Sequence, residues 1–363
     1  MKTRIAPRLS RGATALLAAT LALGLAACGS DDDKKEGASA AVAECPWEAD
    51  ESVTAKARIA WQAIPNADVV VKDLGLLEAC LPNAEITWVQ ASSGGQVIEW
   101  YGGDQVDLGL MGSSPAARSA SSPTVDDVDI QTIWVHDVIG DAESLIVKDE
   151  AIEEVADLEG RTIGVPFAST AHYSLLQAIS EAGLDATKDV KVINLEPDNM
   201  PAAWQGDEID GVWVWDPVQS QLLSDGGTRI LSSKDTAEKG WPTFDVGTVT
   251  TAFATENPEF LATWAQAQDH AVRLIKDDPA TAAESVGVVL GIDPGEAEKQ
   301  FAGLVFLTAE EQAGPDYLGG KLASDLFTAA GFLLEQGEIE KVSPKADYVS
   351  RVNAEPASSV ANG

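Results

Sequence analysis

Histidine and cysteine are scarce in this 363-residue chain, with three of each. The histidines, His136, His172 and His270, lie far apart. No HExxH, paired CxxC, GxSxG or GxxxxGK[ST] motif occurs, which argues against a metallopeptidase, a zinc-ribbon, a serine hydrolase and a P-loop NTPase. Nothing points to a metal or a cofactor. Basic residues are also few, 24 Lys and Arg against 58 Asp and Glu, for a net charge of −34. Such a surface repels polyanions, so nucleic acid and anionic headgroups are poor partners. After residue 27 no run of 18 uncharged apolar residues occurs, so no later segment suits a transmembrane helix.

What is present begins with an export pattern. Lys2, Arg4, Arg8 and Arg11 precede the uncharged, mostly apolar residues 13–27, and Leu25-Ala26-Ala27 leads to Cys28. Fifteen residues rise only about 22 Å as a helix, short of a roughly 30 Å hydrocarbon core. The pattern reads as a lipoprotein signal peptide over 1–27, with lipidation of Cys28 after cleavage. Residues 28–44, charged and without apolar periodicity, read as a flexible tether. The expected location is the outer face of the cell membrane, held by the lipid alone. In that oxidising setting Cys45 and Cys80 are expected to pair, worth about 4 kcal/mol in the chain-entropy model. Two free thiols are the alternative.

Strand and helix patterns alternate through the body. Arg58–Trp61, Glu85–Gln90 and Val106–Met111 read as strands, and residues 67–80 and 95–101 as helices. The alternation predicts an α/β fold with mostly parallel sheets. Two extended runs, 144–147 and 245–251, suggest crossings between two lobes. The expected division is 45–143 plus 248–350 for one lobe and 144–247 for the other, with a frayed tail over 351–363.

Three strand-to-helix junctions are rich in small and hydroxyl residues: Ser92-Ser93-Gly94-Gly95, Gly112-Ser113-Ser114-Pro115 and Phe167-Ala168-Ser169-Thr170. Free N–H groups and the positive dipole end at helix starts suit an anion without any Arg or Lys. Ordinary N-capping explains each junction equally simply. Trp204, Trp213, Trp215 and Trp241 form a second cluster, read either as core or as a cleft wall that meets a cation. Glu143 and Asp245 fall at the crossings, where the cleft floor is expected, and either suits a ligand ammonium.

These stretches, with Val165-Pro166-Phe167-Ala168-Ser169-Thr170-Ala171-His172-Tyr173-Ser174-Leu175-Leu176, Ala202–Gly211, Val214-Trp215-Asp216-Pro217 and Pro242–Val246, resemble the taurine-binding branch of the ABC-transporter family that also takes up aliphatic sulfonates and nitrate. The resemblance covers about residues 56–345. It implies a type II periplasmic-binding-protein fold, two α/β lobes closing over one small zwitterion or anion, such as taurine or another sulfonate. It also implies delivery to an ABC permease with its ATPase, by a monomer that is not an enzyme. Carried onto this chain, Ser113, Ser114, Ser169 and Thr170 would contact the sulfonate, Trp215 would pack on the ligand, Asp245 would take the ammonium, and Gln62 would line the cleft. The chain departs from the pattern in the loop Trp61–Asn66, in Cys45 and Cys80, and in Asp216, an acid where a small residue is usual. Two alternatives stay open: a receptor for glycine betaine, caged by Trp213, Trp215 and Trp241, or for another alkanesulfonate, and a secreted enzyme on the same fold.

Overall fold

The computed structural model describes residues 44–362. The expected signal segment, Cys28 and nearly all of the tether lie outside the described residues. Two sheets organise the body. The first holds β1 (Lys56–Gln62), β2 (Glu85–Ala91), β3 (Leu108–Gly112), β4 (Ile130–Ile139), β10 (Phe244–Thr250) and β11 (Leu304–Val305), in the order β11-β4-β10-β3-β1-β2. The second holds β5 (Glu143–Val147), β6 (Thr162–Val165), β7 (Lys191–Asn194), β8 (Gly211–Trp215) and β9 (Thr228–Ser232), in the order β7-β6-β8-β5-β9. Each sheet has its own core. A large cluster surrounds the first, and two smaller ones, around Leu145 and Trp213 and around Trp204 and Val212, cover the faces of the second.

The sheets are mixed rather than mostly parallel. β1 pairs in parallel with β2 and β3, and β6 with β7 and β8. The strands next to the crossings, β4, β5 and β10, run antiparallel to their neighbours. Local periodicity reports burial and not strand direction, so the difference was invisible in the chain. The crossings also fall earlier than the expected boundaries. Glu143 already pairs with Trp215 in the second sheet, and Phe244–Gly247 pair with β3 and β4 in the first.

The helix expected over 67–80 is broken. Asn66 caps Ala67–Leu74 by accepting from the Asp68 N–H, and Gly75, at φ 60°, ends that turn before Leu76–Cys80 begins. Valines 69–71 are buried in the first core. Cys80 closes the second piece and is joined by a disulfide to Cys45, Cα atoms 4.9 Å apart. The beginning of the described chain is thus held to the first lobe.

The tail is not frayed. Thr132 N donates to Arg351 O at 2.7 Å and Asn353 N returns to Thr132 O at 2.9 Å, which adds the segment to the edge of β4. A helix, Glu355–Asn362, follows and packs against helices Pro258–Asp277 and Ala309–Ala313, with Ala357 fully buried. Its apolar residues Pro356, Ala357 and Val360 fall at helical spacing, and a short helix gains its stability from such packing.

Candidate functional site

The chain leaves the first sheet at β4 and returns at β10, so the ends of these two strands and the start of β5 meet between the lobes. A narrow cleft lies there, lined by Gln62, Ile64, Pro65, Gly94, Gly112, Ile139, Ala142, Glu143, Ser169, Thr170, Trp215, Asp216, Asp245 and Leu304. Six of the eight residues expected to touch a ligand line it: Gln62, Glu143, Ser169, Thr170, Trp215 and Asp245. Ser113 and Ser114 do not. Ser113 instead accepts the N–H of Phe244 at 3.1 Å, tying the start of helix Ser113–Ser119 to β10, and Ser114 is buried.

Part of the cleft lining is backbone. The helices Gly94–Gly102 and Ser113–Ser119 start without a side-chain cap, and Gly94 and Gly112 face the cleft. Uncapped first-turn N–H groups suit an anion there. The third junction is different. Ser169 Oγ donates to Pro166 O at 2.6 Å and accepts from His172 N at 3.1 Å, so its hydroxyl serves as a helix cap. Thr170 Oγ1 donates to Glu143 Oε2 at 2.6 Å. Both of these hydroxyls, two of the four expected to meet a sulfonate, are engaged within the protein.

Another part of the lining is made of carboxyls. Glu143, Asp216 and Asp245 line the cleft, and Asp137 stands opposite Asp245 in the β4–β10 register. All four are at most 5 % exposed, and no lysine, arginine or histidine lines the cleft. Glu143 has both oxygens occupied, one by Thr170 and the other by Ser233 Oγ at 2.6 Å. Burial outweighs these bonds and pushes its carboxyl up to about 7. Asp216 accepts from Ser220 N and Oγ at 3.0 and 2.6 Å and from Gln219 Nε2 at 3.3 Å. It is thereby bonded to the first turn of the helix Val218–Ser224, and burial raises it to about 6. Asp137 accepts from Asn66 Nδ2 at 3.3 Å, and burial raises it to about 7. Asp245 is raised well above the ordinary range by burial and then by the charges of Asp137 and Glu143.

Trp215 packs against all three core clusters while one side lines the cleft. Trp213 is fully buried in the second lobe, and Trp241 does not line the cleft. The three tryptophans form no cage. Sequence reading missed Asp137 and Ser233. Asp137 follows His136 inside the mostly buried strand Ile130–Ile139 and is its one acidic residue, which was the available signal. Nothing local marks Ser233, which meets Glu143 from 90 positions away.

The lobes touch at two glycines. A Cβ on Gly112 would lie 2.4 Å from Thr170 Cγ2, and one on Gly95 would lie 3.0 Å from Phe167 O. Only hydrogen at those positions allows the junctions of opposite lobes to approach this closely. Among the described residues, no group of three or more His, Cys, Asp or Glu side chains is placed to hold a metal ion, and no helix is long and apolar enough to cross a membrane.

Known proteins resemble this chain in sequence and in fold. The taurine-binding periplasmic protein of Escherichia coli is 32% identical over 266 residues, 72% of this chain and 80% of the relative. The alkanesulfonate-binding protein SsuA from Xanthomonas axonopodis pv. citri, solved with MOPS, superposes with a TM-score of 0.66 at 23% identity, covering 83% of this chain and 97% of that one. The desulfurization enzyme DSZB superposes with a TM-score of 0.61 at 16% identity, covering 84% and 99%, so the fold also carries catalysis. Residues 70–290 match the NMT1-like family. With more than half of its length inside that match and the two-lobed periplasmic-binding-protein fold around it, the chain belongs to the NMT1-like family.

Proposed function

We propose that the protein is the ligand-capturing component of an ABC importer, which binds taurine or a closely related short aminosulfonate and hands it to a membrane permease driven by a separate ATPase. The observation that carries this reading is the composition of the cleft: uncapped helix starts with glycine, the buried carboxyls of Glu143, Asp216 and Asp245, and no basic side chain on its lining. A bare anion gains nothing from the carboxyls. A zwitterion with its anion at the free N–H groups and its ammonium toward Asp245 satisfies both. Trp215 supplies an apolar wall for the methylenes. The similarity to a taurine-binding protein supports the same ligand. The tryptophan arrangement gives a betaine cage no support, and no cysteine or histidine lines the cleft to act as a nucleophile or a general base.

Calorimetric titration with taurine tests the reading. The expected result is one ligand per chain with a Kd on the order of micromolar or tighter, and weaker binding of ethanesulfonate, which lacks the ammonium. An absence of taurine binding at two temperatures would sink it.

Export and lipid attachment at Cys28 complete the proposal. A Cys28→Ser variant is expected to take up no labelled fatty acid and to leave the membrane fraction. Unchanged labelling would remove Cys28 from the scheme.

A further inference from the structure

Asp137 has no place in the scheme so far, yet its surroundings are specific. It is fully buried on β4, directly across from Asp245 on β10. Its Oδ2 accepts from Asn66 Nδ2, while its Oδ1 is buried without an N–H or hydroxyl donor. The Asp245 carboxyl faces it across the β4–β10 register, and it can serve as a donor to Asp137 only when it carries a proton.

The groups around the pair offer no countercharge. From β5 comes Glu143, itself raised by burial. From the second lobe comes Asp216 on the cleft wall. The helix Ala67–Leu74 presents the neutral Asn66, and its Asp68 is bonded to Gln268 Nε2 at 2.8 Å instead. β3 presents Gly112 on the far side of Asp245. His136 turns away to Trp264, with ring centroids 5.9 Å apart. Two adjacent buried carboxyls without a cation cannot both be ionised at low cost, so they titrate as a unit that retains one proton.

We propose that Asp137 and Asp245 form a proton-sharing pair that determines the class of ligand, with a primary ammonium replacing the shared proton as the ligand enters. This rests on the reading above, in which the ammonium end of the ligand faces Asp245. The exchange balances: one proton leaves to solvent, the second carboxyl becomes ionised, and the incoming positive charge restores the charge of the pair. An ammonium N–H can donate to Asp245, the member of the pair that lines the cleft. A quaternary ammonium has no N–H to give, and a neutral tail brings no charge, so neither can replace the proton. The complex holds fewer protons than the free protein, so affinity rises with pH through the titration of the pair while the ligand amine stays protonated.

The experiment is titration of the protein with taurine in buffers of different ionisation enthalpy at one pH, repeated with 2-hydroxyethanesulfonate. The expected result is release of about one proton per taurine between pH 6 and 7 and none per hydroxysulfonate. Asp137→Asn is expected to cut the release for taurine to less than about half, because Asp245 then no longer faces a second carboxyl. Taurine binding whose enthalpy is the same in every buffer overturns the proposal, and it does so with the wild-type protein alone, whether or not the variant folds. Equal release in Asp137→Asn and wild type also overturns it, by assigning the proton to another group. Failure to bind taurine at all overturns the underlying reading instead, and is recognised by the absence of saturable heat in any buffer.

Discussion

Replacing Gly112 with alanine is expected to weaken ligand binding by roughly ten- to a hundredfold, with little loss of folding stability. The added Cβ would stand 2.4 Å from Thr170 Cγ2 on the opposite lobe. The backbone itself tolerates alanine, since Gly112 sits at φ −71° and ψ 164°, an ordinary extended conformation. The cost therefore arises only when the lobes meet. Thr170 cannot turn aside freely, because it is β-branched and its hydroxyl is given to Glu143. Overpacking of this kind costs about 1 to 3 kcal/mol, and each 1.4 kcal/mol is about tenfold in affinity. A second substitution tests the cause. Thr170→Ser removes Cγ2 and keeps the hydroxyl for Glu143, so the double variant is expected to recover most of the lost affinity, a coupling that a double-mutant cycle reads directly. Affinity within twofold of wild type in Gly112→Ala would mean that the liganded lobes do not meet at this junction.

Ligand-free protein is expected to lose at least about 3 kcal/mol of stability between pH 5 and 8. Ion-paired carboxylates make most proteins weaker on acidification, whereas here the buried acids act in the opposite sense over this window. Burial raises Asp68, Asp137 and Glu143 to about 7 and Asp216 to about 6, while an unfolded chain titrates such groups near 4. A carboxyl with a raised folded-state pKa binds its proton more tightly in the native protein. The resulting stabilisation is complete below the unfolded value and is lost as pH rises through the folded one. Surface carboxylates such as Asp185 are lowered by bonds to Lys188 and Thr187 and titrate below this window, whereas the buried His136 and His172, lowered by burial to about 3 and about 4, act in the opposite sense below about pH 7 and offset part of the loss. Thermal unfolding at a series of pH values measures the effect, a fall in Tm on the order of 6 °C or more across the window. Asp68 lies outside the cleft, and Asp68→Asn can keep an acceptor for Gln268. That variant is expected to flatten the curve without affecting the ligand. Stability that rises steadily from pH 5 to 8 would show that these groups are ionised in the folded protein.

The alternation of strands and helices, the three glycine- and serine-rich junctions and the acids at the crossings were legible because each is a local pattern. Periodicity reports which face is buried, and a small-residue turn reports where a helix starts. These patterns led to Glu143, Ser169, Thr170 and Asp245 on the cleft lining, whereas Trp215 came from the tryptophan cluster and Gln62 from the family resemblance alone. They did not separate ligand contact from helix capping at Ser169, because an N-cap and an anion site require the same side chain at the same place. They also left Trp213 and Trp215 equivalent by parity, although one is sealed in the core and the other reaches the cleft. The packing of the surrounding helices decides which residue of a strand meets solvent, and that packing is not written in the strand.

From sequence alone came the two-lobed α/β plan, the family resemblance and the acidic character of the site, all carried by residue type and spacing along one stretch of chain. Tertiary structure alone decided the pairing of Asp137 with Asp245 across the sheet, the capture of Glu143 between Thr170 and Ser233, the contact of Gly112 with Thr170 between lobes, and the ordered tail. Each joins segments far apart in the chain, and its energy comes from burial and hydrogen bonds that exist only once those segments meet.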